Sequence, residues 1–330
     1  MRLLIILLFT CCMESCKGQN VFGNKKLTIS KEIQMPEVKG RIDHLAINLK
    51  DKQLYVAALG NNTVEVISLE KGTLLRSIKG VDEPQGIVYL PNQNEIAVAS
   101  GGTGDCLFYN ASTFEHIATV HLSSDADNIR YDSTERKLYV GYGDGGIALI
   151  DPVNHKQTGD VKLPAHPESF QLDKKHNQIF VNLPDAHSIA VISLAGFKLL
   201  TQWNINNLRA NFPMTLDTVH NLLFAGFRHP AVFAAYDILT GKETYRKEIV
   251  GDMDDLFYDE ATQQLFASGG EGYINVLKRS KDSRFSLVSN IATRSGARTS
   301  LLAPSLHYFI LAARAQGGKN AAIIIYTITD

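Results

Sequence analysis

The amino-acid sequence predicts an all-β fold, because short apolar runs alternate with turns rich in glycine, asparagine and aspartate along the chain. One segment pattern recurs seven times, with equivalent positions at Leu54, Ile96, Leu138, Ile179, Leu223, Leu265 and Tyr308. Neighbouring copies are 41 to 44 residues apart, and each copy contains four short β segments. Four strands at this period are typical of one propeller blade, so we predict a seven-bladed β-propeller of four-stranded antiparallel blades.

Residues 1–16 have the pattern of an export signal. Arg2 precedes a short apolar stretch, and Ser15 stands directly before Cys16, which resembles a bacterial lipobox. We predict lipid attachment at Cys16, with Cys11 as the rival acceptor and an ordinary cleaved signal as the alternative. The protein is then exported to the cell envelope, in the periplasm or at the outer membrane, and contacts the membrane only through its lipid anchor.

After a short linker, residues 17–25, a single propeller domain is predicted over residues 26–330. The last copy of the repeat stops at Asp330 after its third strand, while the strand-like segment KLTISKEIQM, residues 26–35, precedes the first copy. This N-terminal strand would complete the last blade and close the ring, which removes an exposed sheet edge.

The numbers of basic and acidic side chains are nearly equal. Lysine and arginine number 33 against 34 aspartates and glutamates, so we expect no nucleic-acid partner, and we expect a monomer. Cys106 is the only cysteine beyond residue 16, and its apolar surroundings indicate a buried side chain without a catalytic role.

The repeat resembles the YVTN-repeat propellers, which are seven-bladed bacterial proteins of the envelope and of surface layers. The resemblance rests on LYVAALGNNTVEVISL, residues 54–69, and its copies, and it covers residues 26–330. YVAA, YVGY and FVNL stand where the family has YVTN. The resemblance implies a binding scaffold, with scattered enzymes among such propellers, including lactonases and lyases that use carboxylates, amides and histidines at the channel mouth.

The segments that lead into the seven innermost strands, here called lead-in segments, must converge on the mouth of the central channel. Their last two residues before the apolar run are Asp43-His44, Pro84-Gln85, Asp127-Asn128, Glu168-Ser169, Phe212-Pro213, Asp254-Asp255 and Arg298-Thr299. The strand pattern repeats but these pairs differ, which favours a ligand site over a purely structural turn. The predicted ligand-binding residues are His44, Asp127, Asn128, His166, Glu168, Asn211, Asp254, Asp255 and Arg298. The alternative is a channel that holds only water.

The loops between the second and third strands lie on the same rim and add further polar groups. They contribute His187, Arg228, His229 and Glu271, while Phe212, Tyr142 and Tyr273 are candidates for apolar or stacking contacts.

Three kinds of chemistry fit these residues. We predict binding of a small polar or anionic molecule, or of an envelope protein, with Arg228 and Arg298 suited to a carboxylate or phosphate. The alternative is a hydrolase, lactonase or lyase in which crowding raises the pKa of one carboxyl group. A divalent metal, either calcium or a transition metal, is a further option, because the acids and His44 offer a mixed set of oxygen and nitrogen ligands.

Overall fold

The computed structural model describes residues 26–329, which form 28 β-strands in seven four-stranded sheets. From the channel outward, blade one contains β2 (Leu45–Asn48), β3 (Gln53–Ala58), β4 (Thr63–Ser68) and β5 (Thr73–Lys79). Blade two contains β6 (Pro84–Leu90), β7 (Glu95–Ser100), β8 (Asp105–Asn110) and β9 (His116–His121). Blade three contains β10 (Ala126–Asp132), β11 (Lys137–Tyr142), β12 (Gly146–Asp151) and β13 (Lys156–Lys162). Blade four contains β14 (Phe170–Asp173), β15 (Gln178–Leu183), β16 (Ser188–Ser193) and β17 (Lys198–Asn204).

The last three blades follow the same plan. Blade five contains β18 (Arg209–Asp217), β19 (Leu222–His229), β20 (Ala231–Asp237) and β21 (Glu243–Glu248). Blade six contains β22 (Met253–Asp259), β23 (Gln264–Gly269), β24 (Tyr273–Arg279) and β25 (Phe285–Ala292). Blade seven contains β26 (Ser300–Ala303), β27 (Tyr308–Ala313), β28 (Ala321–Thr329) and β1 (Lys26–Met35). Two single-turn 3-10 helices cover Leu59–Asn61 and Pro304–Leu306.

The seven-bladed ring predicted from the repeat is confirmed, and so is its closure by the N-terminal strand. Strand β1 pairs antiparallel with β28, and Ile33 stands opposite Ile323 in that register. Met35 pairs with Ala321 at the mouth rim, whereas Lys26 pairs with Thr329 at the opposite rim. The chain therefore enters the described domain on the side of the ring that faces away from the mouth.

Apolar side chains fill the seven interfaces between neighbouring blades. Each of the seven hydrophobic clusters joins residues from two adjacent blades, because both faces of a blade are covered by its neighbours. Ile33 and Met35 belong to the cluster between blades seven and one, so β1 contributes to packing as well as to pairing. Cys106 is buried between blades two and three, and burial raises the pKa of its thiol.

Irregular pairing marks the mouth end of several innermost strands. Register shifts occur in β6, β10, β18 and β22 close to where these strands leave the lead-in segments. Such bulges bend a strand locally and change the direction of its side chains. No helix among residues 26–329 has the length and apolar character to cross a membrane. The predicted signal and lipobox, residues 1–16, and the linker, residues 17–25, lie outside the described residues.

Candidate functional site

A polar cavity of about 190 Å³ lies at the channel mouth and is lined by the lead-in segments. Seven of the predicted ligand-binding residues line it, namely His44, Asp127, Asn128, His166, Glu168, Asp254 and Arg298. The first residue of the aligned pair faces this cavity in six blades, as Asp43, Asp127, Glu168, Phe212, Asp254 and Arg298. The structure therefore brings together groups that are up to 255 residues apart in the chain, the separation of Asp43 and Arg298.

Two predicted site residues do not line the mouth cavity. Asn211 is buried in the wall, where its side-chain amide donates to the Asn182 side chain at 3.0 Å and to the Ser188 carbonyl at 3.1 Å. Asp255 lines a deeper cavity of about 210 Å³ inside the channel, and its carboxylate accepts a hydrogen bond from the Ser300 backbone at 2.7 Å. Asn211 therefore joins blades four and five, and Asp255 belongs to the channel below the mouth.

The sequence analysis missed lining residues that stand two positions before the first residue of an aligned pair. Arg41 and Asp125 lie two residues before Asp43 and Asp127, and all four side chains line the cavity. Alternate residues of an extended segment share a face, so this spacing was the available signal for Arg41, whereas Asp125 has a left-handed backbone (φ 38°) that no strand pattern predicts. His166 and Glu168 have the same spacing and also share the cavity.

One side of the mouth, here called the arginine sector, consists of Arg228, Arg298, Asp252, Asp254 and Phe212. Arg228 donates to the Met253 carbonyl at 3.0 Å and to the Asp254 carboxylate, and its guanidinium group lies 3.9 Å from the centroid of the Phe212 ring. Arg298 donates to Asp252 at 2.9 Å and forms an ion pair with Asp254 at 2.5 Å. Asp252, to which the sequence assigned no role, thus helps to orient both arginines.

The other side of the mouth, here called the acidic sector, consists of Asp125, Asp127, His166 and Glu168. The His166 Nδ1 atom lies 2.6 Å from the Gly143 carbonyl oxygen, and its Nε2 atom lies 3.6 Å from Oδ2 of the buried Asp127. No hydrogen bond or salt bridge joins the partly buried Glu168 carboxylate to any other side chain of residues 26–329. Asp127, His166 and Glu168 each offer one ligand atom, and these atoms lie within 4.8 Å of one another.

The electrostatic environment of the acidic sector perturbs two pKa values. Burial raises the pKa of Glu168 to about 8, and the nearby Asp127 charge acts in the same direction. Burial acts to lower the pKa of His166, but the nearby Asp127 carboxylate and the hydrogen bond to the Gly143 carbonyl outweigh that effect and raise the pKa to about 9. Both shifts favour the protonated form of each group at neutral pH.

Asp255 and Arg130 line the deeper cavity, and His44 lines both this cavity and the mouth cavity. Burial raises the pKa of Asp255 to about 6, and burial lowers the pKa of Arg130. Within residues 26–329, the Arg130 guanidinium donates to neutral oxygens only, including Ser169 Oγ at 3.2 Å. His44 lies between Asp43 and Asp255, 3.8 Å from each carboxylate, and these charges raise its pKa although burial opposes them.

Most of the polar groups on the loops between the second and third strands lie outside the mouth cavity. Of those predicted, Arg228 lines it, whereas Glu271 accepts a hydrogen bond from the Gly251 backbone and lines a separate groove with Tyr273. Tyr142 is buried and donates its hydroxyl to Asp160 at 2.5 Å. His187 and His229 line neither of these cavities.

Comparisons with known proteins identify the fold. No protein-family model matches this chain, and no curated protein matches it. Among solved structures, hydrazine synthase from Kuenenia stuttgartiensis is similar, with a TM-score of 0.75 and 12% sequence identity. The match covers 87% of this chain and 97% of that chain. Likeness at this identity shows the propeller fold alone.

Proposed function

We propose that this protein binds a small polar molecule with an anionic group in the mouth cavity, between the arginine and acidic sectors. The proposal rests on two arginines, Arg228 and Arg298, whose guanidinium groups are oriented by hydrogen bonds from some of their nitrogens. Among residues 26–329, no side chain or carbonyl accepts a hydrogen bond from Arg228 Nη1 or Arg298 Nη2. A carboxylate or phosphate is the group that such planar, oriented donors recognise best.

The acidic sector supports a second polar group on the same molecule. Asp127 and Glu168 face the arginines across one cavity and offer acceptors for hydroxyl or amino groups. The cavity volume of about 190 Å³ suits a small molecule. Because Arg228 covers the Phe212 ring, little apolar surface faces outward here, so we favour a small molecule over an envelope protein as the occupant.

A thermal-shift assay tests this proposal. We expect hydroxy-carboxylates such as gluconate or citrate, or inorganic phosphate, to raise the melting temperature, and we expect native mass spectrometry to detect any molecule that co-purifies. Arg298→Lys keeps the charge but loses the planar fork, so it should weaken the shift at least about tenfold in ligand concentration. Arg246→Lys is the matched control, because Arg246 makes a similar contact with Glu243 on an outer strand. An equal shift in both variants would place the ligand elsewhere.

A channel-mouth hydrolase, lactonase or lyase is the second candidate, and the pKa of Glu168 favours it. A carboxyl group with a pKa of about 8 is protonated at neutral pH and can act as a general acid next to Asp127. We expect turnover of a lactone or ester panel to fall at least about 100-fold in Glu168→Gln if this candidate is correct. Turnover that survives this substitution would remove Glu168 from the mechanism.

Location in the cell envelope is also part of the proposal, together with the YVTN-type assignment. The repeated LYVAALGNNTVEVISL pattern and the propeller fold support the assignment, and the lipobox-like SCKG sequence supports an anchor at Cys16. Lys26 lies at the rim opposite the mouth, which is the side from which an anchored chain would enter the described domain. Metabolic labelling with a palmitate analogue should mark the wild type and not Cys16→Ser. Labelling that is lost only in Cys11→Ser would move the anchor to Cys11.

A further inference from the structure

Three side chains of the acidic sector, from two blades, converge on one place at the mouth. Pro167 packs beside Gly141 of the neighbouring blade, where an added Cβ would lie 3.2 Å from the proline ring. His166 and Glu168, on either side of Pro167, both line the mouth cavity. Asp127 reaches the same place from blade three and is 5% exposed.

The hydrogen bond of His166 fixes which ring nitrogen faces the cavity. A carbonyl oxygen can only accept, so His166 Nδ1 must donate its proton to the Gly143 carbonyl at 2.6 Å. In the neutral ring, the Nε2 lone pair then faces the Asp127 carboxylate at 3.6 Å. In the imidazolium form a proton on Nε2 lies between the two atoms, and in the neutral form a metal ion can take its place. Histidines that bind metals are typically oriented by such a hydrogen bond on the other nitrogen.

The distance between His166 and Asp127 is close to that between two ligands of one metal ion. Two ligands that are each about 2.1 Å from a tetrahedral ion stand about 3.4 Å apart, and Nε2 of His166 is 3.6 Å from Oδ2 of Asp127. The Glu168 ligand atom lies within 4.8 Å of both. A change in its side-chain torsions brings a flexible glutamate closer without moving the backbone.

We infer that Asp127, His166 and Glu168 together bind one divalent first-row transition metal ion at the channel mouth. The imidazole nitrogen favours an ion such as zinc, cobalt or nickel over calcium or magnesium, which prefer an all-oxygen set. Three protein ligands leave a further position open toward the cavity, where an exogenous oxygen atom would bind.

This inference deepens the proposed function and rests on it for the identity of the exogenous oxygen. In that arrangement the ion holds an oxygen of the small anionic molecule, while Arg228 and Arg298 hold its charged group from the opposite side. The two proposals remain separable, because metal binding is measured without an organic ligand. The thermal shift with gluconate, citrate or phosphate is likewise measured in the presence of a chelator.

Cobalt(II) titration of the chelator-treated protein tests the site. We expect one ion per chain, with visible absorption bands of an ion bound by imidazole and carboxylate and distinct from those of the hydrated ion. Zinc should displace the cobalt, and excess calcium should leave the spectrum unchanged. Displacement by calcium would overturn the assignment to a transition metal, and a spectrum of hydrated cobalt at excess protein would overturn the site itself.

Variants locate the ion. Glu168→Gln and His166→Gln should each weaken cobalt and zinc binding at least about tenfold, which is measured by isothermal titration calorimetry. Asp185→Asn and His187→Gln are the matched controls, because both residues lie on an exposed loop of the same blade outside the cavity. Circular dichroism checks that each variant is folded. Unchanged affinity in both test variants, or equal losses in the controls, would overturn the assignment of these ligands.

Discussion

The closing strand β1 allows ring closure to be tested with two isoleucines that differ mainly in burial. Ile33 is 2% exposed and packs between blades seven and one, whereas Ile29 on the same strand is 61% exposed. Ile33→Ala removes three buried carbons, worth about 2.4 kcal/mol at about 0.8 kcal/mol each. The cavity left behind raises the expected loss in the free energy of unfolding to about 3–4 kcal/mol.

Urea unfolding followed by circular dichroism measures both variants. Ile29→Ala is the control, and we expect it to change the free energy of unfolding by at most about 0.5 kcal/mol. The difference between the two variants then reports the packing of β1 against its neighbours. Equal effects would refute the reasoning, because they would mean that the N-terminal strand does not hold blades seven and one together in solution.

Three further substitutions test other parts of the structure. A Cβ at Gly86 would lie 2.1 Å from the Asp127 carbonyl oxygen, so Gly86→Ala should destabilise the protein by about 1–3 kcal/mol in thermal unfolding, and a neutral effect would contradict this close approach. Asp255 has a folded-state pKa of about 6, above its usual 3.8, so the folded protein binds this proton more tightly than the unfolded chain does. The resulting contribution to the free energy of unfolding is present at low pH and is lost as the pH rises through about 6. The stability of the wild type minus that of Asp255→Asn should fall by up to about 3 kcal/mol between about pH 4 and 7, and parallel pH profiles would argue against the burial of this charge. The buried Asn182 donates to the Phe212 carbonyl at 3.0 Å, so Asn182→Ala should lower the free energy of unfolding in urea by about 1–3 kcal/mol, and an unchanged free energy would contradict this role.

The architecture was predictable because its signals are local and repeated. Each blade has apolar alternation and turn residues within about 40 residues, and the period of the copies counts the blades without knowledge of any long-range contact. The position of β1 also followed from the sequence, since a last copy without an outer strand and a first segment without a blade complement each other. The resemblance to YVTN propellers added the expectation of an envelope location, which stays a prediction.

The site was only partly predictable, because its members come from separate blades and side-chain direction depends on tertiary geometry. The lead-in alignment identified Asp127, Glu168, Asp254 and Arg298 as residues of one mouth, and the structure places all four there. It also grouped Asp254 with Asp255, although the register shift in β22 sends Asp255 into the deeper cavity.

The sequence by itself determined the blade count, the strand order and the ring of lead-in segments, because these depend on periodicity along one chain. Only the tertiary structure decided which polar groups meet. It turned Asn211 into the wall, stacked Arg228 on Phe212, and brought Glu168 within 4.8 Å of Asp127 and His166. These contacts join residues from different blades, and bulges and interblade packing set the direction of each side chain, which no pattern within one repeat encodes.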